Sequence, residues 1–163
     1  MKKVLLIFCA MFLLAGCSTA TFETMDDGQD VPVMAKPATL LIDLPEDAAA
    51  PAMEGSYGKL YFCGDYDITV EVLPAGNLNE TVQALTGFSR EELKIIETMR
   101  CGVSCYESAW SAAGEAGDQI GRILVLDDHC YHYCVTIQAP AEDAGECMSQ
   151  WAEILDSVAL TES

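Results

Sequence analysis

Residues 67–74 read Asp-Ile-Thr-Val-Glu-Val-Leu-Pro, and their character alternates. Ile68, Val70 and Val72 point one way, Thr69 and Glu71 the other, which is the signature of a half-buried strand. The runs 38–45 and 59–64 also read as strands, with loop-like composition over 46–58. Over 77–87 the period lengthens. Leu78, Val82 and Leu85 form a stripe, Asn77 or Asn79 can cap the start and Gly87 can end it, so a helix is predicted. Ser89 and Glu92 have capping-box spacing for one further helical turn. Residues 93–100 and 103–110 predict a hairpin turning at Cys101-Gly102. A mobile loop is expected over 111–119, and 121–128 with 129–139 predict a second hairpin around Asp127-Asp128. The clearest helix runs from Ala141 to about Val158. Ala144, Cys147, Met148, Trp151, Ile154, Leu155 and Val158 recur at steps of three and four and make one apolar face.

Strands joined by short turns pair antiparallel. The expected fold is therefore α+β: a mainly antiparallel sheet of about six to seven strands, with a short helix and a long C-terminal helix packed on it. Residues 65–74 (DYDITVEVLP), the 77–87 segment, the two hairpins and the ending 151–160 (WAEILDSVAL) together resemble the PsbP-like α/β/α sandwich proteins. The resemblance covers residues 38–160. It implies a fold and carries over no site residue, because that family shares no chemistry.

The first residues change the picture of where this domain works. Lys2 and Lys3 precede an apolar run from Val4 to Leu14. That run is shorter than the ~20 residues of a spanning helix and fits a signal-peptide core. It ends in Leu14-Ala15-Gly16-Cys17, which resembles the lipobox of bacterial lipoprotein precursors. The resemblance implies a diacylglycerol on the Cys17 thiol and cleavage before Cys17; an ordinary secretory signal cut elsewhere is the alternative. The expected organisation is a signal peptide over 1–16, a flexible acidic tether over 17–36 and one domain over 37–163. Two or three acyl chains hold durably, since each buried methylene contributes ~0.8 kcal/mol. The expected address is extracytoplasmic, on the cell membrane or outer membrane through lipid on Cys17.

Charge narrows the partners. With 26 acidic against 8 basic residues the net charge is −18, and loss of Lys2 and Lys3 makes it two units more negative. Such a surface repels nucleic acid. It serves solubility, or it gathers cations or a basic partner.

Candidate chemistry gathers at 129–134, His-Cys-Tyr-His-Tyr-Cys, which holds both histidines. On a regular strand Tyr131, Tyr133, Val135 and Ile137 share one face with His129, while Cys130, His132 and Cys134 share the other. Three readings stand. Cys63, Cys101, Cys105, Cys130, Cys134 and Cys147 are an even set, as disulfides outside the cytoplasm require. Strand residues four apart lie ~13 Å from each other, beyond the ~7 Å that a bridge spans, so Cys130 and Cys134 need partners elsewhere, Cys101 and Cys105 first. Alternatively the thiols are free and pack as small apolar groups. Thirdly, Cys130, His132 and Cys134 with Cys101 or Cys105 could bind zinc, although strand spacing suits the ion poorly. Zinc is the only cofactor this raises. No nucleophile elbow, phosphate loop or zinc-protease motif occurs. Ser104 or Ser108 beside His132 or His129 would be needed for a hydrolase. The expectation is a non-catalytic accessory domain that docks on an envelope or secreted partner. A metal- or cation-binding lipoprotein is the alternative, and a hydrolase-like enzyme a distant third.

Overall fold

A computed structural model describes residues 36–48, 50–114 and 117–161. The elements are β1 (Thr39–Leu41), β2 (Met53–Glu54), β3 (Gly58–Cys63), β4 (Tyr66–Pro74), α1 (Leu78–Thr86), β5 (Ile96–Arg100), β6 (Val103–Ala112), β7 (Gln119–Asp127), β8 (Tyr131–Pro140), α2 (Ala141–Ser157) and β9 (Ala159–Thr161), with short 3₁₀ turns at Glu46–Ala48 and Arg90–Glu92. Seven strands form one antiparallel sheet in the order β2-β3-β4-β8-β7-β6-β5, and β1 with β9 forms a separate ribbon. This is the expected α+β class. Among the described residues no helix is long and apolar enough to cross a membrane.

Alternation along the central strands gives the sheet two dressed faces. Ile68, Leu124, Leu126, Tyr133, Val135 and Ile137 point to α2 and form the main core with Trp151, Ile154 and Leu155. Trp151 is fully buried and meets the Tyr66 ring edge-on, with centroids 5.9 Å apart. Arg100 donates from Nη1 to the Leu155 carbonyl at the end of α2, where a cation offsets the helix dipole, and from Nη2 to Glu107 at 3.1 Å. The opposite face carries Ile123, Val125, His132 and Cys134, with α1 against β7. Glycine matters at position 121: a Cβ there would run into the Trp110 ring of the neighbouring strand.

The capping signals read from sequence are present. Asn77 Oδ1 accepts from the Asn79 N–H, Gly87 ends α1 in the left-handed region, and Ser89 and Glu92 form the capping box. Three expectations need correction. The 38–45 run forms only the three-residue β1, off the main sheet, and β9 was unforeseen because its apolar residues continue the pattern of α2. β6 and β7 extend to Ala112 and from Gln119, so the expected 111–119 loop shrinks to 113–118. His129 and Cys130 are not on the strand. Asp127 and Asp128 accept hydrogen bonds from the His129 and Cys130 N–H groups, both at 2.8 Å, which folds the chain into a turn with His129 at φ +71°.

Candidate functional site

An open cleft of about 650 Å³ lies on the α2 side of the sheet. Its floor is Tyr61, Val70 and Val72. Pro37, Leu40 and Ile42, from β1 and its flanks, make one wall, and Pro74 with Tyr131 closes one end. The opposite lip is the β2–β3 hairpin, with Glu54, Ser56, Tyr57 and Lys59.

Local chemistry builds each side. At the lip, the Gly55 N–H donates to the Gly58 carbonyl and the Val72 N–H to the Tyr57 carbonyl, both at 2.8 Å, which fastens the hairpin to β4. Gly58 is obligatory in this packing, because a Cβ would lie 2.7 Å from Glu71 Cγ and 2.8 Å from the Val70 carbonyl. Lys59 Nζ pairs with Glu54 Oε1 at 3.0 Å, so the lip's charges satisfy one another. The side-chain bond and the charge of Glu54 raise the Lys59 ammonium above its ordinary value. Tyr57 is 63% exposed above the cleft.

On the wall, a buried tyrosine does the fastening. The Ala38 N–H donates to Tyr133 Oη at 2.9 Å, and that hydroxyl donates to Asp128 Oδ2 at 2.8 Å. Asp128 also accepts from the Cys130 and Tyr131 N–H groups. Burial opposes charge on Asp128, yet the bonds from Tyr133, Tyr131 and Cys130, with His129 nearby, together hold its carboxyl below the ordinary value. Burial first, then the bond to Asp128, pushes the Tyr133 hydroxyl up to about 12. One ring therefore ties the chain around Pro37 to the turn that presents Tyr131.

The candidates named from sequence scatter. Cys17 lies outside the described residues, as does the tether before Lys36. The six later cysteines are free thiols. Cys105 pairs in register with Leu126, and Leu126 with Tyr133, so it faces α2; Cys134, one residue on from Tyr133, faces the other way. A Cys105–Cys134 bridge would have to cross the sheet, and the zinc set Cys130, His132, Cys134 and Cys105 is split between two faces and a turn. Among the described residues no group of three or more His, Cys, Asp or Glu side chains is placed to hold a metal ion. Cys101 and Cys130 sit exposed in hairpin turns, while Cys63 and Cys147 share the α2-side core. Burial is the main cause that pushes the Cys134 thiol up to about 12 and Cys63 up to about 11, so neither is a ready nucleophile.

Sequence reasoning passed over Thr81. Its Oγ1 lies 2.8 Å from His132 Nδ1, and His132 Nε2 lies 3.8 Å from Asp127 Oδ2. This hydroxyl–imidazole–carboxylate line resembles a hydrolase triad in composition only. His132 is 1% exposed and none of the three lines the cleft, so the arrangement fastens α1 to β8. Ser108 is committed elsewhere, donating to the Lys94 carbonyl at 3.2 Å, and Ser104 stands opposite Asp127 in register. The cleft itself had no sequence signal. Its residues belong to four separated segments of strand and turn.

No protein-family model matches the sequence. No curated protein matches it either. Solved structures do. A Bacteroides thetaiotaomicron protein superposes with a TM-score of 0.52 at 8% identity over 76% of this chain, which spans 46% of that longer protein. PA94, a protein of unknown function from Pseudomonas aeruginosa, gives 0.49 at 10% identity, covering 82% of this chain and 90% of its own. LpqN of Mycobacterium tuberculosis, involved in cell envelope biogenesis, gives 0.46 at 15%, covering 78% and 87%. At these identities the likeness is one of fold.

Proposed function

We propose that the protein is an extracytoplasmic lipoprotein, anchored through lipid on Cys17, whose PsbP-like domain binds a partner without transforming it. The observation that carries the binding role is the cleft lining. Aliphatic and tyrosine side chains dominate it, and the ion pair at its lip is internally satisfied. Recognition sites have this make-up: mostly apolar, with a few fixed polar groups. The lipobox supports the address, and the acidic surface suits an exterior position.

Two measurements on cells expressing the full chain test this reading. Radiolabelled palmitate should enter the wild-type protein and be absent from Cys17→Ala. A photo-crosslinking amino acid at Tyr57 should give a discrete adduct with an envelope component, while one at the exposed Glu97 on β5 should not. Unlabelled wild-type protein would overturn the address. Identical adduct patterns from positions 57 and 97 would overturn the cleft as binding site.

A further inference from the structure

We propose that the cleft holds a single aliphatic chain carrying a zwitterionic head, the chemistry of a lysophospholipid taken from the membrane. This deepens the binding role proposed above and relies on it for the source of the ligand. Three observations support it.

First, the floor asks for hydrocarbon. Val70 and Val72 lie on β4, which is hydrogen-bonded on both sides, to β3 and β8. At Val70 and Val72 that backbone is already engaged, the Val72 N–H by the Tyr57 carbonyl, so the floor offers an added peptide strand only side-chain surface. A volume of about 650 Å³ is within the usual range for a small-molecule site. Second, charge is confined to the lip. Glu54, Ser56 and Lys59 all sit on the hairpin, where a head group would lie while its chain ran over Val70 and Val72 toward Tyr131. Glu54 and Lys59 pair with each other at 3.0 Å, and since both side chains are about half exposed each keeps a free side on which to meet the opposite charge of a head bearing both signs. A purely anionic head would also approach a chain of net charge −18. Third, the wall of the cleft begins at Pro37, immediately after the expected tether over 17–36. Twenty residues reach at most about 70 Å even at full extension. Lipidation at Cys17 would therefore keep the cleft within reach of a bilayer surface.

The test uses the intact lipidated protein in amphipol, titrated with octyl-, decyl- and dodecylphosphocholine below their micelle-forming concentrations, with binding counted by native mass spectrometry. One molecule should bind per protein. Affinity should rise about fourfold per added methylene until the cleft is filled. Val72→Glu should weaken binding at least tenfold, and Tyr57→Ala several-fold. Tyr57 is largely exposed, so its variant decides the matter should Val72→Glu fail to fold. Affinity independent of chain length, unsaturable binding, or wild-type binding by Tyr57→Ala together with any folded Val72→Glu would overturn the inference. Dodecyl sulfate binding as tightly as dodecylphosphocholine would overturn the zwitterionic head. Loss of alkyl-chain binding with the Tyr57 crosslink intact would sink this inference alone and leave the partner-binding role standing.

Discussion

Replacing Tyr133 with Phe removes one oxygen atom and tests how the wall of the cleft is held. That oxygen accepts from the Ala38 N–H and donates to Asp128, inside a ring that is fully buried. The first is a neutral hydrogen bond, worth about 1 kcal/mol net, and the second ends on a carboxylate, worth about 1.5–3 kcal/mol. The variant should therefore lose about 2–4 kcal/mol, a large share of the ~5–15 kcal/mol that holds a domain. Urea unfolding at pH 7, followed by the fluorescence of buried Trp151, measures it directly. A second reading comes from pH. Asp128 is held below its ordinary carboxyl value, so its contribution is present above about pH 4 and is lost as pH falls through the depressed value. Tyr133→Phe removes one cause of that depression, so its stability should fall less steeply in acid than that of wild type. A loss under 0.5 kcal/mol with an unchanged urea slope, or parallel acid limbs, would refute the network as drawn.

Further outcomes follow from burial. Of the six cysteines between Lys36 and Thr161, Cys101 and Cys130 should react with a thiol reagent in the native state and the other four only after unfolding; a third fast thiol would contradict their placement. Cys134 and Cys63 hold their protons up to about 12 and about 11 when folded, against an ordinary 9.0, and Tyr133 and Tyr66 up to about 12 against 10.0. The unfolded chain releases these protons first, so stability should fall as pH rises above about 9, by about 1.4 kcal/mol per unit for each group in its window. Flat stability from pH 8 to 11 in urea titrations would count against it. His132→Ala empties a buried site and strands Thr81, and should cost about 2–4 kcal/mol by thermal or urea unfolding. A near-neutral effect would mean that α1 is held without it.

Local physics made much of the fold readable. β4 was plain because Ile68, Val70 and Val72 face a core while Thr69 and Glu71 do not, and α1 because Asn77 and Gly87 mark its ends. α2 was plain because a single face carries its apolar residues. What escaped depended on long-range pairing. β1 and β9 are three residues each and are strands only through one another, 122 positions apart at Thr39 and Thr161. The 129–134 segment misled because period-two character continues into the turn: Asp127-Asp128 mark the hairpin, but the bend their carboxylates hold runs on through His129 and Cys130. The cleft escaped for a similar reason: Leu40, Val72 and Tyr131 meet only after the sheet has closed.

The short ribbon has a mechanical corollary. A pull at Lys36 would bear first on the Ala38–Tyr133 bond and then on three residue pairs, Thr39–Thr161, Leu40–Leu160 and Leu41–Ala159. Three pairs are a weak hold beside the eight between β4 and β8 and the nine between β6 and β7. The segment that would peel carries Pro37, Leu40 and Ile42, so tension applied there would strip away one wall of the cleft before it disturbed the seven-stranded sheet.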